Sequence, residues 1–268
     1  RLQEAGVQVV YGVVAYKTHA KMLLIVRREG GKLRRYAHLG TGNYHQGTSA
    51  IYTDIGLVTA DKDMTEDVHR LFQQLSGLSQ VMKLRRLLHS PFTLHRAMIE
   101  KIDREAAHAR KGRGGKILAR MNALSEPGVI AALYRASQAG VEIVLIVRGI
   151  CVLRPGVPGT SENIRVYSIV GRLLEHSRVY YFRNDGDEEL WASSADWMER
   201  NLLHRVEVCF PILDPELRQR VFNETLENYL ADNTQAWRLM PDGSYERIDR
   251  GEQMPHSAQS ALLARICG

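Results

Sequence analysis

The chain has 268 residues, 44% of them apolar and 25% charged, the composition of a globular protein with room for one large or two modest domains. Its formal net charge of +6 is compatible with a polyanionic partner such as nucleic acid, nucleotide, lipid headgroup or phosphate polymer, and charge does not choose among them. Three distant cysteines, Cys151, Cys209 and Cys267, with no C-x-x-C pair, speak against a zinc site or disulfide framework, and no apolar run is long enough to span a bilayer.

The chain opens on Arg1 and enters helix-like and strand-like sequence at once, the pattern of a chain whose beginning lies elsewhere. Val7–Val14 and Ala20–Arg27 read as strands rich in β-branched residues. Between them stands His19-Ala20-Lys21. On an extended segment, residues two apart face one side, so the imidazole and the ammonium would share a site. Gly30-Gly31 reads as a turn, and Gly40-Thr41-Gly42-Asn43-Tyr44 as a Gly-rich loop whose backbone N–H groups can approach phosphate oxygens. Asp63–Leu75 has the look of a capped helix. Ser90-Pro91 marks a break, which divides the chain into domains 1–88 and 89–268.

Thr93–Arg110 reads as a helix with Met98, Ile99, Ile102 and Ala106 on one face, followed by a basic loop over 109–116. Ile117–Met121, Pro127–Ala139 and Val141–Val147 then read as strand, helix and strand. That order predicts a parallel pair with Arg148 just past a carboxyl end, where open α/β sheets bind ligands. After a loop over 151–163, strands are expected at Ile164–Val170, His176–Phe182 and His204–Ile212, with a hairpin turn at Asn184-Asp185-Gly186-Asp187. Asp214-Pro215 opens a helix to about Asp232. A terminal hairpin (235–240 with 245–248) and a last helix (255–266) complete the chain.

The chain carries a coarse internal duplication. His19-Ala20-Lys21 aligns with His176-Ser177-Arg178, and Gly40-Thr41-Gly42-Asn43 with Ser193-Ser194-Ala195-Asp196. A neutral imidazole is a good nucleophile toward phosphorus, and a cation beside it can neutralise the transferring oxygens. A second histidine across the cleft could protonate the leaving oxygen. Metal chemistry is the weaker alternative: no H-x-x-x-H or H-E-x-x-H occurs, and each histidine's partner is a cation.

His-x-Lys followed by a small polar loop resembles the phospholipase D superfamily, but the Asp expected a few residues after the Lys is missing and Arg178 replaces the second Lys. The segments Thr18–Met22, His38–Tyr44, Tyr52–Asp54, Leu145–Gly149, Leu174–Val179 and Ser193–Met198 resemble, in order and spacing, the histidine-phosphorylating bacterial polyphosphate kinase family, over nearly the whole chain. That resemblance implies an α/β fold of two phospholipase D-like domains related by pseudo-duplication, the first truncated at its N-terminus. It implies His19 as the phosphorylated nucleophile, His176 as second catalytic and nucleotide-site residue, and Tyr52 and Arg148 as ATP contacts. Lys21, Arg178, Asn43 and Asp196 are added from the duplicated pattern as a supporting phosphate shell.

The reaction so implied is reversible transfer of the ATP γ-phosphate to polyphosphate with Mg²⁺, whose residues lie upstream of Arg1, so that no metal ligand maps onto this chain. The resemblance further implies ATP/ADP and polyphosphate as partners, no nucleic acid, a homo-oligomer, and a cytoplasmic location with peripheral association at the inner membrane. The alternatives are a phospholipase D-like phosphodiesterase and, because the N-terminal part is missing, an inactive polyanion-binding fragment.

Overall fold

The computed structural model describes residues 1–10, 16–77 and 83–267. Val7–Val10 form no strand, contrary to expectation, and the rest of that expected strand lies outside the described residues. The first half begins with a strand of two residues, β1 (Lys17–Thr18). It continues into a long hairpin, β2 (Lys21–Glu29) and β3 (Lys32–Gly40). Gly30 and Gly31 close the hairpin with φ of +55° and +79°, the left-handed pair that a two-residue turn between twisted strands requires. A short helix α1 (Gln46–Ser49), strands β4 (Tyr52–Thr53) and β5 (Gly56–Thr59), and helix α2 (Lys62–Leu75) follow. Asp61 caps α2 by accepting from the Met64 N–H at 2.8 Å.

The second half contains β6 (Leu88–Ser90), α3 (Leu94–Arg110), β7 (Lys116–Met121), α4 (Pro127–Gln138), β8 (Glu142–Val147) and β9 (Ile164–Ile169). Next come β10 (Leu174–Glu175), β11 (Arg178–Phe182), β12 (Glu189–Ser193), α5 (Glu199–Leu203) and β13 (Arg205–Pro211). The helix expected from Asp214 is α6 (Pro215–Phe222), then a π turn over Asn223–Glu227, then α7 (Asn228–Leu230). The π turn lies where Arg120 Nη1 donates to the Thr225 carbonyl at 3.2 Å. Strands β14 (Ala236–Leu239) and β15 (Tyr245–Arg247) and helix α8 (Ala258–Cys267) end the chain.

One mixed sheet organises the molecule, in the order β1-β13-β12-β11-β7-β8-β9-β14-β15, with β6 also on β13. The expected parallel pair is β7 on β8, Lys116 opposite Glu142. Alternation along the central strands fills two layers. Ile117, Ala119, Met121, Ile143, Leu145, Tyr180 and Phe182 join the layer under α3 and α4. Leu118, Val144, Val179 and Tyr181 face the other way, toward β3 and α2 of the first half (Leu39, Met64, Val68, Leu71). The two halves therefore meet face to face on the central sheet, as the duplication suggested.

A buried carboxylate fixes the passage from one half to the next. Asp67, fully buried on α2, accepts from the backbone N–H groups of Arg85, Arg86 and Leu87 at 2.7–3.0 Å. Asp67→Ala leaves three donors without a partner and is expected to cost at least ~2 kcal/mol, read as a lowered urea midpoint, with Asp67→Asn intermediate.

Candidate active site

Two short parallel ladders build the site. β1 lies along β13 with Lys17 opposite Arg205 and Thr18 opposite Val206. β10 lies along β4 with Leu174 opposite Tyr52 and Glu175 opposite Thr53. One step further in each register brings His19 to Glu207 and His176 to Asp54. His19 Nδ1 is 2.8 Å from Glu207 Oε2, and His176 Nδ1 is 2.9 Å from Asp54 Oδ1. Each histidine is thus held by a carboxylate of the opposite half. A carboxylate only accepts, so each ring carries its proton on Nδ1, and Nε2 is left with the lone pair.

The expected strand geometry needs correction at this point. Lys21 and Arg178 are the first residues of β2 and β11, but neither histidine lies on a strand with its cation. His19 and Ala20 sit in a break, with both N–H groups donating to the Val206 carbonyl at 2.8 and 2.9 Å. His176 N likewise donates to the Thr53 carbonyl at 3.2 Å. Bonding to the other half bends the backbone out of the ladder just where each imidazole stands.

The duplication extends to individual hydrogen bonds. Thr41 Oγ1 donates to Asp54 at 2.7 Å, and Ser194 Oγ donates to Glu207 at 2.5 Å. The Thr41 hydroxyl accepts from Ile55 N at 3.0 Å, as Ser194 accepts from Val208 N at 3.1 Å. Lys21 pairs with Gly40 as Arg178 pairs with Ser193. Gly42 occupies the position of Ala195 because a Cβ there would stand 2.2 Å from Asp54 Oδ2.

A cavity of about 470 Å³ opens between the halves, lined by His19, Tyr52, Arg148, His176, Arg178 and Asp196 of the expected set. Asn122, Arg200 and Arg205 also line it. Lys21 and Asn43 are not on its wall. Lys21 is buried behind it, and Asn43 is exposed. The Tyr52 ring packs against the His176 imidazole, with centroids 4.8 Å apart. Arg178 forms a forked ion pair with Asp196 at 3.1–3.2 Å, donates to the Thr41 carbonyl at 3.2 Å, and lies 3.3 Å from His176 Nε2. Arg148 has a buried Nε without a partner among the described residues, so its guanidinium is available to a ligand.

Burial sets the protonation states. It lowers the His176 pKa, with Arg178 adding to the effect against the hydrogen bond that the ring donates to Asp54, so the neutral ring is favoured. Burial opposes the Asp196 carboxylate, but Arg178 and the N–H groups of Asn122 and Ala123 outweigh it and hold the pKa below the ordinary range. Burial pulls Lys21 down to about 8, against the attraction of Glu207. No group of three or more His, Cys, Asp or Glu among the described residues could hold a metal ion. The one carboxylate on the cavity wall, Asp196, is saturated by Arg178, so these residues do not fit a resident Mg²⁺.

Sequence reasoning missed Asp54, Glu207, Asn122, Arg200 and Arg205. Glu207 did leave a signal, a carboxylate inside the apolar run Val206-Glu207-Val208.

Two outcomes follow from the geometry. Gly42→Ala is expected to push Asp54 aside, so that the downfield Nδ1 proton resonance of His176 disappears and its pKa falls further, while the His19 resonance persists on Glu207. Tripolyphosphate binding, followed by calorimetry, is expected to weaken as pH rises through about 8, where Lys21 loses its charge, and Lys21→Arg is expected to remove that step.

The family model for polyphosphate kinase C-terminal domain 2 matches residues 87–259, and that for C-terminal domain 1 matches residues 1–81. Curated polyphosphate kinases of Xylella fastidiosa and Pseudomonas aeruginosa are 64% and 59% identical to this chain over 99% of its length. The chain spans 38% and 39% of those relatives' own lengths. The crystal structure of polyphosphate kinase from Porphyromonas gingivalis superposes on all of this chain, and on 41% of its own, with a TM-score of 0.94 at 41% identity. With its crossed histidine–carboxylate pairs and arginine-lined cavity, the chain belongs to the polyphosphate kinase family, whose two C-terminal domains it matches.

Proposed function

We propose that this chain carries the phosphoryl-transfer centre of a polyphosphate kinase, moving the ATP γ-phosphate reversibly to inorganic polyphosphate through a phosphohistidine on His19. The observation that carries this reading is the pair of imidazoles on one cavity, each with Nδ1 on a carboxylate of the opposite half. In the forward direction His19 Nε2 attacks the γ-phosphorus. An N–P bond forms, the P–O bond to the β-phosphate breaks, and ADP leaves with the electron pair. The Nδ1 proton stays on the ring, shared with Glu207, so no base is needed. A terminal oxygen of the polymer then attacks the same phosphorus and frees the imidazole.

Arg148 and Arg178 offset the charge on the phosphoryl oxygens, where fixed cations in a partly dry cavity act most strongly. His176 is neutral without substrate. An incoming polyanion favours its protonated form, which then meets the leaving oxygen as a proton donor with Asp54 behind it. Tyr52, already packed on His176, offers a ring face to the nucleoside. Mg²⁺ belongs to this reading as the counter-ion of ATP. The described residues supply no carboxylate cluster to hold it. A cytoplasmic homo-oligomer, peripheral at the inner membrane, belongs to the same reading. Among the described residues no helix is long and apolar enough to cross a membrane.

With γ-labelled ATP, a full-length kinase carrying this sequence is expected to take up acid-labile, base-stable phosphate and to make polymer, and His19→Ala to do neither. Continued labelling of His19→Ala would sink the reading. Turnover of a p-nitrophenyl phosphodiester without ATP would favour the phosphodiesterase instead. Running this chain beside the full-length protein tests whether it acts alone or only binds polyphosphate.

A further inference from the structure

The two half-sites are equivalent in fold but not in charge. In the second, Asp196 grips Arg178 through the Nε–Nη2 edge of its guanidinium, and both side chains are buried. In the first, the equivalent of Asp196 is Asn43. The equivalence rests on register. Lys21 pairs with Gly40 and Arg178 with Ser193, and positions 43 and 196 each lie three residues further on. Asn43 is uncharged and faces solvent. The Lys21 ammonium is buried and has no hydrogen-bond partner among the described residues.

The ionised neighbours differ accordingly. Around His176 two carboxylates, Asp54 and Asp196, stand with two guanidiniums, Arg178 and Arg148. Around His19 the carboxylate Glu207 stands with Lys21 and Arg205, and Lys21 also feels Arg178 and Asp54 of the second half-site, a cation and an anion that offset each other. A phosphoryl group arriving on an imidazole brings close to two negative charges, and it is held where positive charge has not already been neutralised.

We propose that Asp196 is a positioning residue that makes the half-sites unequal: by neutralising Arg178 it keeps the phosphoryl group off His176, and the absence of a carboxylate at position 43 leaves Lys21 to receive it on His19. This rests on the phosphoryl-transfer reading above. The chemistry is the same at either ring. Nε2 forms the N–P bond, the bond to the β-phosphate breaks with its electrons on ADP, and Nδ1 keeps its proton against Asp54 or Glu207. What Asp196 decides is which ring does it. Removing its charge without its shape frees Arg178 and makes His176 a second acceptor.

The test is to map the phosphohistidine by mass spectrometry under base-stable conditions, in a full-length kinase carrying this sequence, after brief exposure to labelled ATP. The parent protein is expected to carry label on the His19 peptide alone. Asp196→Asn is expected to raise label on the His176 peptide about tenfold above background, the scale of one charge at a partly screened site. Asp196→Glu is expected to restore the single site, which a merely structural loss would not explain. Lys21→Met, which replaces a buried and unpaired ammonium with an apolar side chain of like length, does not threaten folding, and it is expected to lower the His19 label about tenfold. A folded Asp196→Asn labelled on His19 and never on His176 overturns the proposal. If Asp196→Asn does not fold, unchanged His19 labelling in Lys21→Met overturns it. A parent protein that takes no label on either histidine overturns the phosphoryl-transfer reading itself, and the proposal with it.

Discussion

The site depends on the crossed hydrogen bonds from His19 to Glu207 and from His176 to Asp54. Neither half of the chain contains both members of either pair. The partners are 188 and 122 residues apart in sequence, and they meet only when β1 docks on β13 and β10 on β4. Closing such long loops is entropically costly, and ladders of two residues each return little against it. The larger return is the apolar layer between the halves, where Leu39, Met64 and Val68 meet Val179, Tyr181 and Phe210. Hydrophobic docking therefore comes first in the energetics, and the polar pairs set the register within it. Glu207 illustrates the constraint. It is fully buried, a position no carboxylate occupies cheaply, and it is satisfied by His19, by Ser194 at 2.5 Å and by Asn201 at 2.6 Å. A slip of one residue in β1 would leave that charge without its imidazole.

What could be read in the sequence was local. The His-x-cation repeat and the two small-residue loops are short patterns, and the structure makes them equivalent down to the hydroxyls of Thr41 and Ser194. Helices α2, α3 and α4 follow from apolar spacing and caps, and they lie within two residues of the expected bounds. The orienting carboxylates were not legible, because nothing in the period of Tyr52-Thr53-Asp54 or Val206-Glu207-Val208 tells which distant segment pairs with it. The same limit explains the error about the histidines. A strand-like run from Thr18 to Val26 gives no hint that two N–H groups are diverted to the Val206 carbonyl. Arg200 and Arg205 were lost for a related reason: Arg200 lies in α5 and Arg205 opens β13, and only the folding of β13 against β1 turns them toward the cavity.

The duplicated pattern also promised more symmetry than the fold delivers. Asn43 and Asp196 align, yet one is exposed and the other is locked on Arg178. Alignment of small polar loops reports backbone equivalence, and here the backbone is equivalent. It does not report charge, and charge is where the two half-sites differ. A duplicated frame can thus keep the hydrogen bonds of Thr41 and Ser194 while a single Asp or Asn gives its halves different charge.

The support behind His176 is polar as well. Glu175, the residue before it, accepts from Arg120, from Thr53 at 2.6 Å, from Tyr229 at 3.1 Å and from Gln259 of α8. The Arg120 guanidinium in turn lies 3.7 Å over the Tyr229 ring. An apolar cluster of the same volume would be at least as stable, since burying a charge pair roughly cancels its attraction against its lost hydration. Apolar side chains would not, however, hold β10 on β4 in one register. A half-satisfied network costs several kcal/mol, so each alternative register that strands Glu175 or Arg120 is penalised. The network thus trades stability for position, and the position it secures is that of the His176 ring over Asp54. Through Gln259 and Tyr229 the same requirement reaches α7 and α8, which do not line the cavity and yet hold the second histidine in place.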